Sequence, residues 1–420
     1  MTTSESTFRA AKEQSMNKKF SAMTIGVLAL AALACVAQAQ TFQVIHYFTG
    51  GADGAYPGSG LIIDRAGHIY GAAGSGGMGN NGTVFELKRL GSGWTIGPIY
   101  EFRGGNDGSS PDGVVFGPEG LLYGATFFGG GADNAGIAYA LQPPATVCKT
   151  TTCFWSETIL HSFGSGTDGV APASALISDQ AGNLYGTTEA GGADGAGTVY
   201  ELTKSGNSWT ENVLYPFLGG PNDGFQPIGG LVFDMAGNLY GTTATGGANG
   251  DGIAFELTPS NGSWSEGIVY NFSNNNIGSY PDTSLVVDQT GNLYGMTWIH
   301  GSVFELTRSN GNWNASALYT ATYFGSGAAL TMDQAGDLYG VSCVGSNGGS
   351  GSGSGFIFKL TNSNGTWTLS DLHDFNGSDS KCPFGSVTPD AAGNLWGTTE
   401  FGGQGCGSNG CGVVWEITAQ

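Results

Sequence analysis

The tetrapeptide Gly-Thr-Thr-Glu occurs at 186–189 and again at 397–400, which sets Glu189 and Glu400 at matching places in the chain. Two carboxyls are the minimal equipment for glycosidic-bond chemistry, provided they stand about 5–9.5 Å apart. A second group is aromatic: Trp298, His300, Tyr323 and Phe324 crowd one stretch. Exposed rings beside carboxylates suit a sugar, whose apolar face stacks on them. A third group is the set of aspartates Asp53, Asp107, Asp168 and Asp223 in Gly-rich loops. Such residues cap their own turns by accepting backbone N–H bonds, or they offer hard oxygens to calcium. The loops lack the dense carboxylate spacing of an established calcium motif, so capping is the expectation and calcium the alternative. The sequence contains no nucleophile elbow, phosphate loop or metal-binding His pair. No catalytic residue, resident metal or other cofactor is therefore assigned.

These residues hang on a repeat. The hairpin Asp-x-x-Gly-Asn-Leu-Tyr-Gly occupies 179–186, 234–241 and 288–295. Near copies lie at 64–71, 333–340 and 390–397, with a degenerate one at 117–124. Each unit reads as four short strands, a to d, and Asn-Gly or Gly-Asn pairs supply the left-handed residues that tight hairpins require. No sustained 3.6-residue apolar period is present, so helices should be nearly absent. Seven four-stranded units predict an all-β, seven-bladed β-propeller. The last unit lacks strand d, and 41–48 matches 212–217 closely enough to supply it. The N-terminal strand would then close the last blade and leave no free sheet edge. An open β-solenoid is the rival architecture.

A residue repeated in every unit serves seven equivalent contacts rather than one active site. By that argument the strand-d residues Trp94, Trp155, Trp209, Trp264, Trp313 and Trp367 pack between blades. The strand-c residues Glu86, Glu201, Glu256, Glu305 and Glu416 are cross-strand partners or solvated positions. His46, His161 and His373 stand where other units hold Tyr, and so are aromatic substitutes. His68 is a surface turn residue in the place of Asn. Alternating strand directions put the b–c and d–a loops on one face, the expected carrier of function. The column just past strand b on that face reads Gly74, Phe127, Glu189, Ala244, Trp298, Cys343 and Glu400. Glu189 and Glu400 fall in blades three and seven, which are not neighbours, so acid–base spacing would require both to face the central channel. The expected ligand residues are Trp298, His300, Tyr323 and Phe324 in a notch near blades 5 and 6, with Phe127, Glu189 and Glu400.

The hairpin, the Gly-Gly loops and the Phe-Glu-Leu-Thr strand resemble a bacterial extracellular tandem repeat, the GloVer repeat, over nearly all of 41–420. The resemblance implies export and often a surface anchor, and it implies no established reaction. The chain ends in Ala419-Gln420 without a C-terminal sorting helix, which favours free secretion. Export is also read from the residues. Lys18 and Lys19 precede an apolar run, and Ala37-Gln38-Ala39 fits a cleavage site, so 1–39 is expected to be a signal peptide with an alternative start at Met16. The remaining 40–420 would form a single propeller domain, extracellular or periplasmic, with no membrane span. Six cysteines then remain, and an even count after an export signal favours disulfides. The expected pairs are Cys148–Cys153, Cys343–Cys382 and Cys406–Cys411. A net charge of −20 makes nucleic acid a poor partner. The function expected is a monomeric extracellular binding module for a glycan or a protein. The alternatives are a polysaccharide hydrolase or lyase and a structural cell-surface protein.

Overall fold

The computed structural model describes residues 40–419 apart from 146–153, 165, 207, 322, 323, 325–327 and 345–353. Residues 1–39, expected as a signal peptide, the expected Cys148–Cys153 pair and Tyr323 lie outside the described residues. Phe42–Ile417 forms one compact unit. It is a ring of seven small antiparallel sheets, a seven-bladed β-propeller. Blades 1 to 6 span 62–101, 109–162, 169–216, 232–271, 286–320 and 331–374. Blade 7 takes Lys381–Pro389, Leu395–Phe401 and Val413–Ile417 from the C-terminal end and Phe42–Tyr47 from the N-terminal end.

The closing strand reproduces a blade's inner detail. In blade 3 the c–d ladder shifts register between Val199 and Tyr200. Blade 7 shifts at the equivalent place, between Val44 and His46. Such a bulge adds twist and re-aims the strand end, and the N-terminal strand carries it as the other d strands do. Burial of Val413–Ile417, with Phe42, Val44 and His46 half-buried and Gln43 and Tyr47 exposed, selects one pairing, Phe42 with Ile417 and Val44 with Trp415.

Blade 4 shows why the repeat folds as it does. Its strands are Val232–Phe233, Leu239–Thr243, Ile253–Ser260 and Ser263–Asn271. Asp234 accepts the N–H groups of Ala236 at 2.8 Å and Asn238 at 2.9 Å, closing the a–b turn. Asn261 and Gly262, at φ 50° and 83°, make the c–d hairpin, a conformation for which Asn-Gly is suited. The strand-b glycine serves close approach: a Cβ on Gly241 would stand 2.5 Å from the Phe255 ring. The paired threonines divide their labour. Thr242 donates to the Thr283 carbonyl of the next blade at 3.0 Å. Thr243 accepts the Ile253 N–H at 3.2 Å inside its own blade.

Strand a is shorter than the sequence suggests, Val232–Phe233 rather than 230–233. Its inner half turns to the neighbouring blade, with the Gly230 N–H donating to Ser284 Oγ at 3.0 Å.

Aromatic rings fill the seams between blades. Each of the six strand-d tryptophans meets the strand-b aromatic of the preceding blade, as Trp264 meets Tyr185 at 6.5 Å and Trp94 meets Trp396 at 5.0 Å. Each such pair adds about 0.5–1.5 kcal/mol beyond its buried area. The repeated Tyr and Glu form a second constant. The Tyr240 hydroxyl donates to Glu256 at 2.8 Å and reaches Asp234 at 3.4 Å. Burial first, then these carboxylates, push the phenol's pKa upward. The strand-c glutamates are therefore cross-strand partners.

Candidate functional site

The d–a and b–c loops do share a face, and two columns of side chains ring its centre. One partner, in six of the seven units, is the residue before the loop proline. Tyr56, Ser110, Ala171, Gln226, Tyr280 and Cys382 all sit there with φ between 55° and 60°. A left-handed non-Gly residue before proline is costly, on the order of 1–3 kcal/mol, and hydrogen bonds hold it. Tyr280 donates its N–H to the Asp251 carbonyl of the preceding blade at 3.0 Å, while its own carbonyl receives the Trp298 N–H at 3.1 Å. Gln226 and Tyr56 repeat the pattern. This column was missed in the sequence; its signal was the variable residue ahead of each loop proline.

The column past strand b meets this one around the ring. Glu189 of blade 3 accepts the Gln226 amide of blade 4 at 3.1 Å. At blades 6 and 7 the same contact is covalent, the disulfide Cys343–Cys382. At blade 5 Trp298 stands 40% exposed, with the Tyr280 ring edge-on at 6.1 Å. His300 is exposed two residues on, in a left-handed turn at φ 46°. Phe127 is half-buried and edges Phe128 at 4.8 Å. Glu400 is half-buried, and burial raises its pKa. Glu189 and Glu400 belong to blades 3 and 7, which are not neighbours in the ring.

Phe324 departs from its expected place in an open notch. It is fully buried and packs on Phe358 at 5.6 Å. The cause is a displaced core ring. In blade 4 the Phe272 N–H donates to the Gly252 carbonyl and its ring packs on Phe304 at 5.1 Å. In blade 5 Ala321 takes that backbone bond, to Gly301 at 2.7 Å. Phe324 then supplies the missing ring from three residues further along.

Below the mouth runs a channel of about 310 Å³, lined by strand-a segments that include Ser59, Asp112, Ser174, Asp282 and Ser386. Burial pushes the Asp112 carboxyl up to about 6, against one hydrogen bond from the Gly113 N–H.

The loop aspartates act as caps, and each also receives the strand-d His or Tyr. Asp223 accepts the Leu218 and Gly224 N–H groups at 2.8 and 2.7 Å and the Tyr215 hydroxyl at 3.1 Å. His46, His161 and His373 take the Tyr place, at 3.0, 3.1 and 3.0 Å from Asp53, Asp168 and Asp379. They do not gather into one cluster. His68 substitutes for Asn as expected, meeting Asp64 at 3.0 Å.

Seven small four-stranded sheets in a ring around a central channel define a β-propeller. Residues 144–302 match the family model of the Gloeobacter/Verrucomicrobia repeat, which bears out the resemblance. No curated protein matches the chain. Solved structures do. A polysaccharide lyase, an ulvan lyase bound to a GlcA–Rha3S saccharide, aligns at TM-score 0.54 and 9% identity, over 90% of this chain and 96% of its own. A fungal alcohol oxidase in complex with copper aligns at 0.53 and 12%, over 91% and 77%. A gluconolactonase from Xanthomonas campestris aligns at 0.42 and 15%, over 74% and 90%. At these identities the likeness concerns the fold. No helix among the described residues is long and apolar enough to cross a membrane. The disulfides Cys343–Cys382 and Cys406–Cys411 suit an oxidising compartment.

Proposed function

We propose that the protein is a secreted glycan-binding propeller whose loop face takes a polysaccharide across blades 3 to 5. The reading rests on Trp298, a 40%-exposed indole braced by Tyr280. An aromatic held rigid and open offers a stacking platform at little entropic cost. The Glu189–Gln226 pair, bonded at 3.1 Å, supplies acceptors and donors for sugar hydroxyls two blades away. His300 stands beside the platform, and Phe127 and Glu400 extend the same column around the mouth. The ulvan lyase lends support by analogy of fold, since that protein is bound to a saccharide.

Binding rather than catalysis is the function proposed, because Glu189 and Glu400 belong to blades 3 and 7, which are not neighbours, and paired carboxyls must stand about 5–9.5 Å apart. The experiment is depletion of the purified protein by a panel of insoluble polysaccharides, repeated with Trp298→Ala. Selective depletion that the substitution abolishes, at unchanged melting temperature, is the expected result. Depletion by none of the panel would overturn the glycan reading and favour a protein partner. Release of shortened sugars from a depleting polysaccharide would make the protein an enzyme.

A further inference from the structure

We propose that the outer seam between blades 2 and 3 is a divalent-metal site, in which His161 Nε2 and the carboxylates of Asp168 and Glu211 bind a cation of the zinc class. The donor atoms come from three segments: strand d of blade 2, the following loop, and strand d of blade 3. They nevertheless converge to within 4.8 Å of one another. Asp168 is fixed in orientation by the N–H groups of Gly164 at 3.0 Å and Gly169 at 2.7 Å. Outer bonds of this kind aim a ligand, and the same carboxylate stands 3.1 Å from His161 Nε2. Two further groups lack partners. Glu211 Oε1 is sealed from solvent and accepts no hydrogen bond among the described residues. Tyr200 is 0% exposed, and its hydroxyl is unpartnered among the described residues. The seam thus holds an unpartnered carboxylate oxygen at Glu211, and a cation would partner it.

The other seams provide built-in comparisons. At blades 1 and 2, and again at 3 and 4, a phenol replaces the imidazole. Tyr100 donates to Asp107 and Glu157, and Tyr215 donates to Asp223 beside Glu266. At blades 7 and 1, and at 6 and 7, the imidazole remains, but Ile96 and Phe42 take the Glu211 position. Among the described residues, only the seam of blades 2 and 3 combines an imidazole with two carboxylates. One nitrogen and two carboxylates suit zinc or manganese, whereas calcium takes six or more oxygens. The side chains of His161 and Asp168 keep 23% and 24% exposure, so an ion has a way in.

The test is calorimetric titration of chelator-treated protein with Zn²⁺, Mn²⁺ and Ca²⁺ separately, alongside thermal melts. One equivalent of Zn²⁺ or Mn²⁺ should bind and raise the melting temperature. His161→Tyr recreates the neighbouring seams, so it should fold and bind at least about 10-fold more weakly. Glu211→Gln should weaken binding as well, and His46→Tyr should leave it unchanged. Undiminished binding in both His161→Tyr and Glu211→Gln, or no saturable binding by the parent protein, would overturn the proposal. So would calcium as the preferred ion with His161→Tyr unaffected.

Discussion

The seams of this ring share one backbone and differ in charge. At the outer position two residues beyond the strand-d Trp, blades 2, 3 and 4 place Glu157, Glu211 and Glu266. Blades 1, 5 and 6 place Ile96, Ala315 and Leu369, and blade 7 places Phe42 at the matching register. The acidic seams bury carboxyl oxygens without hydrogen-bond partners among the described residues. The apolar ones cover the same spot with hydrocarbon, and at blade 7 Phe42 stacks flat on His373 at 3.6 Å. The ring therefore keeps its shape through contacts common to all seams and can vary local electrostatics without altering the fold.

Removing a common contact should do equal damage on either side. Trp264→Ala, at an acidic seam, and Trp94→Ala, at an apolar one, should each destabilise by about 3 kcal/mol in denaturant titrations. Values differing by more than about 1.5 kcal/mol would show that the aromatic stack is not the shared support. Removing the covalent tie at the mouth comes next. Replacing Cys343 and Cys382 together by Ser should cost about 2–4 kcal/mol, with the loss absent when reduced parent and variant are compared.

Acidic seams should also respond to pH. Burial first, then Asp107, pushes Glu157 up to about 8, while Tyr100 and Arg103 oppose the rise. Burial and Asp223 push Glu266 up to about 7. A carboxyl with a raised folded pKa binds its proton more tightly in the folded state. Its stabilising effect is complete below the unfolded value and disappears as pH rises through about 7 to 8. Both groups keep some solvent contact, so screening reduces the effect to about 1–2 kcal/mol per site. Melting temperature should fall between about pH 5 and pH 9, and Glu157→Gln with Glu266→Gln should flatten the profile. Giving an acidic seam the apolar residue of its counterparts is a smaller change. Glu266→Leu should stabilise by about 1 kcal/mol at about pH 8 and by less at about pH 5; destabilisation at both pH values would refute the comparison. At the mouth, Trp298→Ala should shift stability by less than about 0.5 kcal/mol while abolishing polysaccharide depletion.

Much of this architecture is legible in the chain. The Asp-x-x-Gly-Asn-Leu-Tyr-Gly hairpin predicts the a–b turn because each of its residues works locally. Asp234 caps the turn, Gly241 clears Phe255, and Tyr240 bonds across to Glu256. The missing strand d and its N-terminal match predict closure, and equivalence among units predicts that the three histidines replace Tyr. Two of the expected disulfides form because their cysteines share a face. Local propensity and repetition suffice for all of these.

Contacts between blades were decided only by the assembled ring. Phe324 looked like a loop aromatic, yet it fills a core vacancy left by Ala321, which depends on a ring from the following blade. No local rule favours a left-handed Tyr56, Gln226 or Tyr280 ahead of proline. Their left-handed backbone holds only because the preceding blade offers a carbonyl. Nothing in the chain singles out Glu211, and only the packing of blade 3 on blade 2 brings it beside His161 and Asp168. Spacing along one chain determines what a blade is, and curvature of seven blades around an axis determines which side chains meet.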